Sequence, residues 1–257
     1  MIPKKIHYVW LGQNPIPDNL QQCISSWKIH MPDYEIIRWD DSKISEIDNI
    51  FMQEAIEQKK WAFASDYIRV YALYHEGGLY FDTDLFVYKS FDDLLVNRAF
   101  IGAENSRHIS KFRTPRCLTS FCMGAEPQHP FIKAALDYYS DRHFVRSKID
   151  WLPEDLKFEV TVNTYVLMEI ARTLGYNPLS NVFPQHLDEG LTVFPPQYFN
   201  PLKVNKETYA FHIAEGSWRV EGLKNAGNSF AQRVKSEIRY HFLRVVDKAG
   251  FVLIKQR

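Results

Sequence analysis

The sequence predicts an α/β layered domain, and three observations carry that expectation. The chain opens with a β-α-β pattern. An amphipathic helix over about 60–75 is closed by Gly77-Gly78 and followed at once by a hydrophobic strand. The chain has 257 residues, of which 46% are hydrophobic and 15% aromatic, enough to cover both faces of a sheet. Gly12 ends a first strand over Lys5–Leu11, which is rich in β-formers, and Asn14-Pro15-Ile16-Pro17 forms the turn behind it. Leu20, Cys23, Ile24 and Trp27 recur at helical spacing until Met31-Pro32-Asp33 stops them. Tyr34–Trp39 is a second strand, closed by Asp40-Asp41.

Residues 50–58 form a short helix in this reading. The helix over 60–75 places Phe63, Tyr67, Val70 and Tyr74 on one apolar side, and Gly77 supplies the backbone freedom to end it. Leu79–Tyr88 (LYFDTDLFVY) then reads as one strand. The stretch 97–160 has no clear period apart from a helix over 130–139. A further helix over 163–174 stops at Gly175. Four prolines between Phe183 and Pro201 imply loops and short strands. Tyr209–Ile213 is a short strand, Gly216-Ser217-Trp218 a turn, and Ser229–Asp247 an amphipathic helix.

Composition removes several classes. Lys+Arg and Asp+Glu both total 31, against the basic excess of a nucleic-acid binder. Cys23, Cys117 and Cys122 form neither a disulfide framework nor a zinc pattern, which fits a reduced, intracellular setting. No run approaches the ~18 apolar residues of a membrane span. The first residues show no apolar core of a signal peptide, so a soluble protein is expected. Charge is uneven: residues 219–257 hold nine Lys/Arg against three Asp/Glu, a net of +6. A basic amphipathic helix of this kind suits an anionic membrane surface. It equally suits packing on the domain with a solvated basic face.

The chemistry concentrates between Ala62 and Phe86. On an extended strand Asp82 and Asp84 point to one face. Two carboxylates at the end of a hydrophobic strand repel each other, and a hard divalent cation such as Mg²⁺ or Mn²⁺ relieves this while leaving room for phosphate oxygens. The bland alternative is a solvated strand end. Asp66 and Arg69, three apart, share a helix face among apolar neighbours, where a charged pair is costly unless used or satisfied. The Gly-Gly turn brings this helix back onto the strand, so one pocket is expected to gather Asp66, Arg69, Tyr80, Asp82 and Asp84.

The run SDYIRVYALYxxGGLYFDTD (65–84) resembles the D-x-D sugar-binding region of glycosyltransferase family 32, and of the related clostridial glucosylating toxins. Ile2–Gly12, Ser26-Trp27, Pro32–Ile36 with Trp39-Asp40, and the late HIAEGSW (212–218) resemble further elements in the same order. The resemblance implies a GT-A fold, a single Rossmann-like nucleotide-binding α/β sandwich over 1–222, with 223–257 as a basic C-terminal helical segment. It implies a nucleotide-sugar donor, a uridine diphosphate sugar by default, and a Mn²⁺ or Mg²⁺ ion. Val9 and Trp10 would then hold the donor base, and Asp66 and Arg69 the donor sugar. Tyr80 would wall the pocket, and Asp82 would contact ribose and metal. Asp84 and His212 would complete the metal site, with Glu215 as the alternative third ligand. Ser217 and Trp218 would close on the diphosphate. Asp82, Asp84 and Arg69 would carry catalysis, with retention of anomeric configuration.

The implied acceptor is a hydroxyl of a glycan or of a lipid-linked (undecaprenyl-type) oligosaccharide, in capsule or O-antigen synthesis. The implied setting is the cytoplasm, at the inner membrane face. Two alternatives compete. A haloacid dehalogenase-type phosphatase also places D-x-D after a strand, but continues with Gly-Thr where this chain has Leu85-Phe86-Val87. A non-catalytic carbohydrate-binding module would need neither metal nor nucleotide.

Overall fold

The computed structural model describes residues 1–213 except 106, 107, 110, 111, 114 and 150, with backbone alone at 108, 109, 112 and 113. The chain divides into units of residues 1–215 and 216–257. The second unit, with the expected turn at 216–218, the helix at 229–247 and the tail 223–257, lies outside the described residues.

In the first unit β1 (Lys5–Val9), α1 (Asp18–His30) and β2 (Glu35–Trp39) form the expected β-α-β opening. Next come α2 (Ile50–Glu57), α3 (Trp61–Glu76), β3 (Gly78–Phe81), β4 (Leu85–Val87) and β5 (Ala99–Ala103). A two-stranded ribbon, β6 (His108–Ile109) and β7 (Phe112–Arg113), leads into β8 (Leu118–Ala125). Then follow α4 (Pro130–Asp137), α5 (Glu154–Lys157) and α6 (Asn163–Thr173). The unit closes with β9 (Gln185–His186), β10 (Leu191–Phe194), α7 (Pro196–Phe199) and β11 (Ala210–His212).

The main sheet has seven strands in the order β2-β1-β3-β8-β5-β10-β9. β1 is parallel to β2 and β3, β10 is parallel to β5, and β8 runs antiparallel between β3 and β5. Hence β1, β2, β3, β5 and β10 all end on one edge of the sheet, where β8 begins. Ligands of open α/β sheets bind along such a carboxyl edge.

Alternate residues of β3 feed two cores. Tyr80 joins Ile68, Leu73, Leu167 and Tyr139, from α3, α6 and the end of α4. Leu79 and Phe81 join Trp27, Phe91 and Phe199 on the opposite face. Trp27, Phe81, Phe91 and Phe199 are each 0% exposed, and burying a large apolar side chain stabilises by about 1.5–3 kcal/mol. Gly77 and Gly78 have φ +64° and +100°, where only glycine is comfortable. A Cβ on Gly78 would stand 2.8 Å from the Lys5 carbonyl oxygen, so the glycine lets β3 lie against β1.

The structure corrects one expectation. Leu79–Tyr88 is two strands in two sheets, not one: β3 belongs to the main sheet, and β4 pairs antiparallel with β11 in a separate ladder. The chain turns at the acidic pair, where the Leu85 amide donates to the Asp82 carbonyl at 3.0 Å. Helix α1 then fixes β4: the Trp27 indole donates to the Leu85 carbonyl at 2.7 Å, and the Val87 amide donates to Ser26 Oγ at 2.9 Å.

Candidate functional site

The site begins at Arg69, on α3 one turn beyond Ser65. Its guanidinium donates from Nη1 to the Ser120 carbonyl at 2.6 Å, and from Nε and Nη2 to the Ser65 carbonyl and hydroxyl. It pairs with Asp66 at 2.9 Å and with Asp82 at 3.4 Å, and lies 4.6 Å from the centre of the Tyr80 ring. The Tyr80 hydroxyl donates to the same Asp82 oxygen at 2.9 Å. Arg69 is 4% exposed and Asp66 14%. Burial alone would lower the arginine's pKa, but Asp82, Tyr80 and Asp66 more than offset this and hold it above its usual value. Burial pushes the Asp66 carboxyl up to about 6 against the pull of Arg69, and the charge of Asp82 adds to the rise. Burial likewise drives the Tyr80 hydroxyl well above its ordinary value.

Asp82 is also the first member of a second cluster. The turn at 82–84 sends the Asp84 carboxylate to His212, on β11, at 2.9 Å from Nε2. Two backbone bonds hold this turn: the Asp82 amide donates to the Phe121 carbonyl and the Ile213 amide to the Asp84 carbonyl, both at 3.0 Å. The imidazole stacks on Phe121 with centroids 4.1 Å apart and planes at 5°. Burial lowers the His212 pKa, but the bond to Asp84 and the charges of Asp84, Asp82 and Glu104 together outweigh it, and the net shift is upward.

The Asp82, Asp84 and His212 ligand atoms all lie within 4.8 Å of one another. In an octahedral site with bonds of ~2.1 Å, neighbouring ligands stand ~3 Å apart and opposite ones ~4.2 Å. Two carboxylates and an imidazole gathered within 4.8 Å are a donor set suited to a hard divalent cation such as Mn²⁺ or Mg²⁺, which leaves further positions for phosphate oxygens.

The carboxyl edge brings the remaining expected residues to the same side. His7 is paired with Tyr80, so Val9 and Trp10, at the end of β1, stand beside the end of β3. The Trp10 indole donates to the Asn14 carbonyl at 2.8 Å and its amide to the Trp39 carbonyl at 3.0 Å, which fixes the tip of the strand. The single expected pocket resolves into two clusters that share Asp82. Asp66, Arg69 and Tyr80 gather on one side of it, Asp84 and His212 on the other. Glu215, Ser217 and Trp218 lie outside the described residues.

Sequence reasoning missed three members. Ser120 and Phe121 sit on β8, in the stretch without a readable period. Asn163 opens α6 beside Asp66, is 1% exposed, and helps stabilise the Asp66 charge. Neither its amide oxygen nor its nitrogen meets a partner at good hydrogen-bond geometry.

Residues 17–101 match the family described as the glycosyltransferase sugar-binding region containing the DXD motif. The chain is 30% identical over 159 residues to inositol phosphoceramide mannosyltransferase 1 of Schizosaccharomyces pombe, covering 56% of this chain and 46% of that protein. It is 30% identical over 144 residues to the mannosyl phosphorylinositol ceramide synthase SUR1 of Saccharomyces cerevisiae, covering 53% of this chain and 34% of that protein. It thus spans less than half the length of these relatives. A solved structure titled PaToxG glycosyltransferase superposes with a TM-score of 0.40 at 22% identity, over 53% of this chain and 59% of that one. Over residues 17–101 the chain is thus similar to the sugar-binding region of the D-x-D glycosyltransferases.

Proposed function

We propose that this protein is a metal-dependent, retaining glycosyltransferase that moves a sugar from a nucleotide diphosphate to an acceptor hydroxyl. The observation that carries the reading is the double membership of Asp82, whose carboxylate faces the buried Arg69 and also completes a ligand triad with Asp84 and His212. A site of this form can bind a sugar on one side and a charged pyrophosphate on the other. Asp82, Asp84 and His212 would hold the ion. When bound, it supplies positive charge to the departing diphosphate.

The chain's own residues do the rest. Asp66 presents an acceptor to sugar hydroxyls. Arg69, fixed in advance by Ser65 and Ser120, holds that carboxylate in place and would donate to the sugar itself only by exchanging one of its present partners. Positioning of this kind lowers the barrier without reorganisation at the moment of reaction. The Asn163 amide supplies a further donor and acceptor beside Asp66, which a bound hydroxyl would satisfy. Asp66 is held by Arg69, Asp82 by Tyr80 and Arg69, and Asp84 by His212. None of the three is poised as a carbon nucleophile, which favours attack on the face the diphosphate leaves. Trapping a covalent glycosyl-enzyme would sink that route.

The donor base and acceptor admit two readings. A uridine diphosphate sugar and a glycan or lipid-linked acceptor of capsule or O-antigen synthesis, used at the cytoplasmic membrane face, follow from the resemblance. The relatives' names favour the second: a mannosyl donor such as guanosine diphosphate mannose, and an inositol phosphoceramide-type headgroup. Thermal stabilisation against a panel of nucleotide sugars, with and without Mn²⁺, separates them, because ligands of the folded state raise its stability. Asp84→Asn should abolish the manganese-dependent part. Release of phosphate from simple phosphomonoesters would instead favour the phosphatase.

A further inference from the structure

Farther along the same carboxyl edge, beyond β8, lies a cavity of about 570 Å³ between the ends of β5 and β10 and the start of α7. That is an ordinary volume for a small-molecule site. Its walls carry the amides of Asn105, Asn181 and Gln197, the charges of Arg116 and Glu207, and the ring of Tyr198. The Asn105 amide already donates to the Asn200 carbonyl and Arg116 to the Asn181 amide oxygen at 2.6 Å, so those groups line the cavity held in place while Gln197 and Glu207 stand exposed. Amides and one charge of each sign answer the paired donor and acceptor character of hydroxyl groups, and an aromatic face answers the C–H face of a sugar or cyclitol ring. The opposed charges of Arg116 and Glu207 leave no excess of either sign to draw an ionic ligand.

Two chain connections join this cavity to the ion triad. The Glu104 amide donates to the Cys117 carbonyl at 2.8 Å, so the ladder between β5 and β8 continues past Ala103. On this continuation the charge of Glu104 acts on His212, and the next residue, Asn105, lines the cavity. On the far wall the Tyr209 amide donates to the Tyr198 carbonyl at 2.8 Å, immediately before the strand that bears His212. Two strand spacings separate β3 from β5, which is about 10 Å.

We propose that this cavity is the acceptor subsite, and that it takes a neutral polyhydroxylated ring, a sugar or a cyclitol. The assignment rests on the transferase reading above. Along the edge the order is then base at β1, diphosphate and ion at β3, and acceptor at β5 and β10. Gln197 and Glu207 are exposed, so changes there leave the core intact.

The test uses the full chain and two neutral probes, methyl α-D-mannopyranoside and myo-inositol, read by saturation-transfer NMR. At least one probe should bind the wild-type protein. Gln197→Ala and Glu207→Gln should each weaken that binding about tenfold, as loss of a hydrogen bond to a hydroxyl implies. Both variants should keep the wild-type melting temperature and the stabilisation given by Mn²⁺ with nucleotide diphosphate. Binding of neither probe to wild type overturns the assignment, and so do variants that bind like wild type. Joint loss of probe and nucleotide binding also overturns it, because the residues would then serve the donor. Absence of any nucleotide effect on the wild type would defeat the transferase reading instead, while the probe result would still decide what the cavity binds.

Discussion

The two halves of the site share one aspartate and are built in opposite ways. Around Arg69 every partner comes from the main body: α3 supplies the arginine, Asp66 and Ser65, β3 supplies Tyr80, and β8 supplies the Ser120 carbonyl. The result is a buried charge cluster whose geometry exists before any ligand arrives. Asp84 and His212 instead depend on a short ladder, β4 with β11, three residues long on each side. That ladder reaches the body through Leu85, Val87 and Ala210, each 0% exposed in the core around Trp27 and Phe91, and through the bonds to Trp27 and Ser26 and the stack on Phe121. The side that would grip a sugar is a cluster of charges buried within the main body, whereas the side that would hold an ion sits at the tip of a short ladder outside the main sheet.

Removing the arginine should show the first half most strongly. Arg69→Ala leaves Asp66 and Asp82 facing each other without their cation, and breaking a buried pair costs about 3–5 kcal/mol. Urea denaturation should report a loss of that size. The next effect is a pH slope in the metal-free protein. Asp66 rises from 3.8 to about 6 on folding, so its protonated form favours the folded chain below about pH 4, and that contribution is lost as pH climbs through 6. The span is at most about 3 kcal/mol. Asp66→Asn should flatten it in denaturation curves taken at pH 4 and 7.

The second half should respond more gently. Trp27→Phe keeps an aromatic ring but a smaller one, and strips the Leu85 carbonyl of its indole donor, at a cost of about 1–2 kcal/mol for the bond with a cavity cost added to it. Loss of manganese affinity should accompany it if α1 does position the acidic turn. Smallest in stability should be His212→Asn, which is expected to weaken Mn²⁺ binding by at least about tenfold, the lower end of what changes behind the ligands already cost. Isothermal titration with the ion alone measures this. A melting temperature several degrees lower would show that the ladder, rather than the ion, is what the imidazole serves.

The legible parts of the sequence were those with one dry face. α1 and α3 show helical spacing because one side of each meets the sheet, and Gly77-Gly78 marks a backbone position that a side chain would block. β5 and β8 were not legible for the opposite reason. All of β5 is buried, as is nearly all of β8, so neither alternates and nothing in the pattern separates strand from buried helix. The acidic pair was found for a reason that was only half right. Same-face geometry on one strand was the argument, yet a turn is what gathers the carboxylates. Asn163 carried no signal, since its proximity to Asp66 arises from the tertiary packing of α6 on β8 and α4, which sets its first residue beside α3.

The position of β11 in the chain has a consequence for the order in which the protein acquires its chemistry. Every strand of the main sheet is complete by Phe194, whereas His212 comes from the last strand described. During synthesis the sugar-gripping half can consolidate while the imidazole has yet to emerge. A polypeptide halted near residue 205 would hold all seven sheet strands yet lack one arm of the chelate. The three-residue ligand set would therefore exist only once the chain has passed residue 212 and come back to its own acidic turn.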